Sequence, residues 1–70
     1  MTEEDARRIA THEHYKGGLN RVLGTGRHSE TLEELVFYEQ LWPKERSLWA
    51  RPAAMFNETL PDGRPRFRPL

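Results

Sequence analysis

The alternation of apolar and polar residues predicts short strands separated by turns. Residues 19–23 alternate in polarity as a strand does, and Gly24 and Gly26 then interrupt the alternation. Glycines within a strand pattern indicate a bulge or a sharp coil, as a strand bending around a small barrel requires. Gly17 and Gly18, just before this segment, indicate a turn.

Residues 32–42 have two interpretations from their local pattern. As a helix, Thr31 and Glu34 would form a capping box before an apolar face. As a strand, the β-branched and aromatic run at 36–38 favours a pleated segment. The local pattern leaves both interpretations open.

The C-terminal third predicts several short elements. Residues 48–51 form a strand that ends at Pro52, because proline cannot donate to a sheet ladder. Residues 53–56 suit a single helical turn. Residues 57–67 predict a hairpin, with a tight turn at 61–64.

Together these elements predict an all-β fold in a single domain. We expect residues 14–70 to form a small SH3-like barrel with one short helical turn near residues 53–56. The SH3-like assignment is an analogy, since a short turn before the last strand is typical of such barrels. Residues 1–13 are expected to form an N-terminal lead, either disordered or a short frayed helix that begins at Thr2.

Size and composition narrow the class of protein. A chain of 70 residues buries only about 60% of its unfolded surface, so its stability must come from leucine, valine and its seven aromatic residues. In so small a domain we expect Trp49 to lie inside the core. The chain has no cysteine, which excludes disulfides and thiolate metal sites. It has no apolar run that could span a membrane, so we expect a cytoplasmic protein, monomeric or weakly self-associating.

The charge is balanced overall but unevenly distributed. Net charge is zero, with five basic and eight acidic residues in 1–43 and six basic and three acidic residues in 44–70. A chain without net charge is not expected to bind nucleic acid with high affinity. An RNA-binding module therefore ranks as an alternative function, through a basic C-terminal edge composed of Arg51, Arg64, Arg66 and Arg68.

A polar turn is the first candidate site. His28, Ser29 and Glu30 precede an apolar run and lie close to further carboxylates. A histidine beside carboxylates can act as a general base, so a minimal hydrolase-like or metal-dependent enzyme using His28 with Glu30 or Glu34 is an alternative function. Binding ranks ahead of catalysis, because so short a chain can barely form a pocket that excludes water.

No metal or cofactor is expected. The spacing of His12 and His14 places both rings on one strand face, but no third ligand lies nearby in sequence.

Aromatic residues and one arginine extend the candidate site. Tyr15 and Tyr38 could form walls for a ligand or belong to the core, and Arg51 is the best anion contact, unless it forms a surface ion pair with Glu34. We therefore predict a binding module that recognises a protein segment or a small polar ligand. Its site would comprise Tyr15, His28, Ser29, Glu30, Tyr38 and Arg51.

Several ordered blocks of sequence support a family relationship. They are His14-Tyr15-Lys16-Gly17, Arg21-Val22-Leu23-Gly24, His28-Ser29-Glu30-Thr31, Glu34-Leu35-Val36 with Tyr38, Leu48-Trp49 with Arg51-Pro52, Met55-Phe56 and Arg66-Phe67.

Through these blocks the chain resembles the small bacterial proteins grouped as domain-of-unknown-function family 1653. The resemblance implies a compact β-domain and a strand at residues 34–41, and it implies no activity. The chain departs from the family's pattern at Asn20, where an aromatic residue is common, and at Ala50, where valine is common. Both changes reduce apolar content and imply looser packing nearby.

Overall fold

The computed structural model describes residues 1–70 and contains two short helices and five strands. In chain order the elements are α1 (Glu3–Ile9), β1 (His12–His14), β2 (Leu19–Arg27), β3 (Glu34–Trp42), β4 (Ser47–Pro52), α2 (Ala53–Phe56) and β5 (Phe67–Pro69). All strand pairs are antiparallel and form one sheet in the order β4-β3-β2-β1-β5. The predicted β-rich domain with a short helix at 53–56 is confirmed.

The long β2–β3 hairpin forms the centre of the sheet. The strand interpretation of residues 34–41 is confirmed, and β2 runs on through both glycines with a register shift between Val22 and Gly24. A Cβ added to Gly26 would lie 2.8 Å from Cε2 of Phe37. Gly26 therefore leaves room for the Phe37 ring, which crosses the face of β2 at this point.

The expected closed barrel is not confirmed, because the sheet is open. No backbone pairing joins the two edge strands, β4 and β5. A side-chain contact bridges them instead, since the Arg51 guanidinium lies 5.4 Å from the ring centre of Phe67. A three-residue β5 already pairs with β1 along its whole length, and the long connection through α2 separates it from β4.

Two small apolar clusters lie on opposite faces of β3, because successive strand residues point to opposite sides. One cluster contains Val36, Tyr38, Phe56 and Phe67, and α2 contributes Phe56 to it. The Phe56 and Phe67 rings stack with their centres 4.2 Å apart. The other cluster contains Ala6, Leu19 and Leu41.

The N-terminal segment packs against the sheet. Thr2 Oγ1 accepts a hydrogen bond from the Asp5 backbone N–H at 3.1 Å, and this contact caps α1. Ala6 on α1 is fully buried against Leu19 and Leu41. Neither helix is long and apolar enough to cross a lipid bilayer.

The expectation that Trp49 lies in the core is wrong. Its side chain is 53% exposed, and it belongs to neither apolar cluster. Trp49 lies on the edge strand β4, and its indole N–H donates to Ser47 Oγ at 2.8 Å. An edge strand has a neighbour on one side only, so an aromatic residue there can keep half of its surface in water.

The predicted tight turn at 61–64 is confirmed. The Leu60 N–H donates to the Arg64 carbonyl at 2.7 Å, and Gly63 adopts a φ of +90° that favours glycine. The flanking segments form only an isolated bridge between Thr59 and Pro65.

Candidate ligand-binding site

A concave pocket of ≈ 340 Å³ opens beside the second half of β3. Its volume falls within the range of small-molecule sites. We call it the basic pocket, and its 11 lining residues are His14, Lys16, Gly18, Asn20, Tyr38, Gln40, Trp42, Pro43, Lys44, Arg51 and Phe67. The lining contains four basic side chains and no Asp or Glu.

Three separate parts of the chain contribute the cations. Lys16 lies in the β1–β2 turn, which closes through a 2.7 Å bond from the His14 N–H to the Gly18 carbonyl. Gly17 makes this turn possible with a φ of +98°. Lys44 lies in the β3–β4 connection, and Arg51 lies on β4. The fold therefore supplies positive charge to the pocket from three different elements.

The pocket gathers nearly all the basic side chains that have no acidic partner. Of the eleven lysines and arginines, seven have a carboxylate oxygen within 4.0 Å: Arg7, Arg8, Arg21, Arg46, Arg64, Arg66 and Arg68. The other four are Lys16, Arg27, Lys44 and Arg51, and only Arg27 lies outside the pocket. The positive charge in the pocket is therefore not neutralised by the protein itself.

Arg51 is held by the aromatic core rather than by an acid. Its Nε donates to the Tyr38 hydroxyl at 3.3 Å, and its guanidinium lies over Phe67. The ion pair that Arg51 could have formed with Glu34 does not form. Because Nε donates to Tyr38, the two Nη groups of Arg51 are the donors that remain for a hydrogen bond to a ligand.

His14 lines the pocket as a neutral hydrogen-bond donor. Burial lowers the pKa of His14, and the positive charges of Arg51, Arg66, Lys16 and Lys44 lower it further. Its Nδ1 accepts a 3.2 Å bond from the Lys16 N–H, so the ring proton of the neutral form resides on Nε2.

Asn20 is the single buried polar residue of the protein, with 4% of its surface exposed. Its side-chain N–H donates to the Gly18 carbonyl at 3.2 Å, and no protein group donates to its amide oxygen. Gln40 has a similar arrangement, since its amide N–H donates to the Glu45 carbonyl at 3.0 Å. A buried polar group carries a free-energy cost unless it is hydrogen-bonded, so the Asn20 amide oxygen is suited to accept from a polar ligand or water, and the half-buried Gln40 offers a second amide oxygen.

The structure brings together only part of the site that the sequence predicts. Tyr38 and Arg51 contact each other in the basic pocket. Tyr15 lies next to the pocket, with its ring centre 4.5 Å from that of His14, but it is not part of the lining.

The polar turn lies elsewhere. His28, Ser29 and Glu30 connect β2 to β3, outside the pocket lining. The start of β3 at Glu34 is four residues from Tyr38, which is about 13 Å at ~3.3 Å per strand residue.

His28 stabilises its own turn. Its Nδ1 lies 3.1 Å from the Glu30 backbone nitrogen and 3.3 Å from that of Thr31, and it accepts from both N–H groups. The Thr31 hydroxyl accepts from the Glu33 N–H at 3.2 Å. These contacts give the polar residues of the turn a structural role, whereas binding at this turn stays a prediction.

No group of three His, Asp or Glu side chains is arranged to hold a metal ion. His12 and His14 share a strand face as expected, but their rings pack edge-on against Phe56 and Phe67, at 5.4 Å and 4.9 Å.

The basic C-terminal edge is largely neutralised. Arg64 pairs with Asp62 at 2.7 Å, and Arg66 pairs with Glu58 at 3.1 Å. Arg68 pairs with Glu13 at 2.6 Å. Of the four arginines that suggested this edge, only Arg51 has no acidic partner.

Sequence reasoning did not place His14, Lys16, Asn20 or Lys44 in the candidate ligand site. The glycine pair after Lys16 signalled a turn, and Asn20 stood out as a polar residue within a strand pattern. Neither signal shows that the two residues meet Lys44 and Arg51, which lie more than twenty positions away in sequence. Their convergence depends on the pairing of β2 with β3 and of β3 with β4.

The comparisons with known proteins identify a family without an assigned activity. The family described as "Protein of unknown function (DUF1653)" matches residues 10–69 of this chain. Neither a curated protein nor a solved structure matches the chain significantly. The match covers all five strands and all the residues that line the basic pocket. The chain therefore belongs to this family of proteins of unknown function, DUF1653.

Proposed function

We propose that this protein is a small binding module that holds an anionic ligand in the basic pocket. One observation carries the proposal: three of the four basic side chains without a carboxylate partner converge on a single cavity that contains no acid. A concave site lined by one sign of charge concentrates ligands of the opposite sign. The site thus provides local attraction for an anion although the protein has no net charge.

The arrangement favours binding over acid–base catalysis. No carboxylate lines the pocket to orient and charge the His14 imidazole, as the partner of a catalytic histidine would. A pocket of ≈ 340 Å³ suits a small polar ligand better than a protein segment. The paired arginines of the C-terminal edge offer little free charge to RNA.

In chain order α2 is the element that precedes the last strand, β5, and this order supports assigning the open sheet to the SH3-like group. Fold likeness of this kind supports a binding role only by analogy, because one fold hosts many functions.

A titration monitored by NMR of the backbone amides tests the proposal. Pyrophosphate and citrate are added at constant ionic strength, with glycerol as an uncharged control. We expect saturable shifts at the amides of the basic pocket, among them Lys16, Gly18 and Asn20. Shifts no larger than those produced by sodium chloride would disprove anion binding.

Arg27 provides a matched control for the site. Arg51→Gln and Arg27→Gln each remove one cation without a carboxylate partner, so net charge changes equally. We expect Arg51→Gln to weaken pyrophosphate binding about tenfold or more, as loss of a charge-assisted hydrogen bond does. Arg27→Gln should leave the affinity nearly unchanged. Equal losses in both variants would show that only net charge matters.

A further inference from the structure

We propose that the ligand of the basic pocket is a small organic phosphate, a phosphate monoester held as its dianion among Lys16, Lys44 and Arg51. The assignment rests on the proposed function and names the chemical class of its ligand.

The number of cations and their origin in three separate elements favour a ligand with more than one negative charge. Lys16, Lys44 and Arg51 come from a turn, a connection and an edge strand around one cavity. A planar carboxylate carries one charge and is satisfied by a single guanidinium in a bidentate pair. A phosphate monoester carries about −1.5 to −2 charge at pH 7 and presents three terminal oxygens. Three cations without acidic partners therefore match its charge and its oxygens better.

Arg51 is oriented before any ligand arrives. Its Nε bond to Tyr38 and its position over Phe67 restrain the side chain, so little rotational freedom is lost when the Nη groups meet an oxyanion. His14 adds a donor that needs no protonation, because its Nε2 carries the proton of the neutral ring.

The rest of the lining suits the organic part of the ligand. Trp42, Pro43 and Phe67 supply apolar surface, and Asn20 and Gln40 supply amide oxygens to which the protein donates no hydrogen bond. Amide oxygens accept from hydroxyl or N–H groups. The pocket thus combines cations for the phosphate group with amide oxygens and apolar surface for the organic group.

Calorimetric titration with three probes that share one ring tests the assignment. Phenyl phosphate is a tetrahedral dianion, phenyl sulfate a tetrahedral monoanion and benzoate a planar monoanion. We expect phenyl phosphate to bind about tenfold more tightly than either monoanion near pH 7.5, where its second ionisation is complete. Inorganic phosphate should bind more weakly than phenyl phosphate, because it lacks the apolar ring.

Measuring affinity as a function of pH distinguishes the effect of ligand ionisation from the effect of protein ionisation. The second phosphate pKa is about 6, so phenyl phosphate should lose most of its advantage at about pH 5. The groups around the phosphate that can titrate or carry charge are His14, Lys16, Lys44, Arg51 and Arg66. Burial and the surrounding cations lower the pKa of His14, and protonation of its ring in acid would strengthen the binding of every anion. Phenyl sulfate reports that contribution alone.

The outcomes distinguish this assignment from the proposed function. If benzoate or phenyl sulfate binds as tightly as phenyl phosphate, the phosphate assignment fails and anion binding stands. If none of the three probes saturates the wild-type protein although pyrophosphate does, the phosphate-monoester assignment fails and anion binding stands; if pyrophosphate does not bind either, both fail. A phosphoserine peptide that binds about tenfold more tightly than phenyl phosphate would overturn a small-molecule ligand in favour of a phosphorylated protein. Arg51→Gln must abolish the preference for phenyl phosphate over phenyl sulfate and benzoate. The control variant Arg27→Gln must keep that preference.

Discussion

The hydroxyl of Tyr38, a residue with only 6% of its surface exposed, accepts a 3.3 Å hydrogen bond from Nε of Arg51. Tyr38 packs against Phe56 and Phe67 in the larger apolar cluster, and Arg51 is one of the cations of the basic pocket. The Tyr38 ring therefore stabilises the fold, while its hydroxyl positions Arg51, a residue of the candidate site. The core and the candidate site share this residue, and substitutions can separate its two roles.

The first prediction concerns this shared role. Tyr38→Phe keeps the ring packing but removes the acceptor for Arg51 Nε. We expect the free energy of unfolding to fall by about 0.5–1.5 kcal/mol, the usual net value of one hydrogen bond. Pyrophosphate affinity should fall several-fold, because Arg51 loses its orientation. Urea unfolding and NMR titration measure the two effects, and unchanged affinity would contradict a positioning role for Tyr38.

The second prediction compares two aromatic residues of different burial. Phe56 is 5% exposed and stacks on Phe67, whereas Trp49 is half exposed at the sheet edge. Phe56→Ala should cost about 3–5 kcal/mol and leave so small a domain unfolded. Trp49→Ala should cost only about 1 kcal/mol, despite the larger side chain.

Phe56→Leu keeps this comparison measurable, because it conserves much of the buried volume and should leave the domain folded. Thermal unfolding of Phe56→Leu, Trp49→Ala and wild type ranks the two positions. If Trp49→Ala lowers the melting temperature more than Phe56→Leu does, Trp49 is more important to packing than its exposure indicates.

The third prediction concerns the polar turn. His28→Ala removes the acceptor of two backbone N–H groups, so we expect a loss of about 1 kcal/mol in unfolding free energy. His28→Asn retains a side-chain acceptor and should recover part of that loss. Neither substitution should change pyrophosphate affinity. A binding defect in a stably folded His28→Ala protein would instead support the turn as a ligand site.

The fourth prediction concerns acid stability. Hydrogen bonding to Arg46, followed by its charge and that of Arg21, lowers the pKa of Glu39 from its ordinary value of 4.5. A carboxyl with a lower pKa in the folded state binds protons more readily when unfolded. It therefore contributes stability above the ordinary pKa, and that stability is lost as pH falls through the folded-state pKa.

Glu39→Gln tests the predicted direction of this pH dependence of stability. The variant should be less stable than wild type near neutral pH, and its unfolding free energy should fall less steeply below about pH 5. Urea denaturation at a series of pH values gives both curves. Parallel curves over the acid range would mean that Glu39 titrates alike in the folded and unfolded chain.

Local patterns account for the turns that the sequence predicted correctly. The glycine pair at 17 and 18 made a turn, and the residues at 61–64 made another. The local pattern left residues 32–42 open between helix and strand, and it was the family resemblance that predicted the strand. Both turns depend on the conformational preferences of neighbouring residues, and the sequence alone contains that information. The position of Trp49 was predicted wrongly because hydrophobicity does not reveal whether a strand is central or at an edge.

The sequence by itself therefore determined the short antiparallel elements, the membership of the family and the supply of basic residues near the C-terminus. Tertiary structure alone decided that the sheet stays open, that Arg21 and Arg68 meet acids distant in sequence, and that Arg51 meets none. Those outcomes depend on pairing between residues far apart in sequence, such as Glu13 with Arg68 and Tyr38 with Arg51. The interaction between two charges depends on their separation in space. The net charge of a pocket therefore depends on strand pairing, which brings together residues that are distant in sequence.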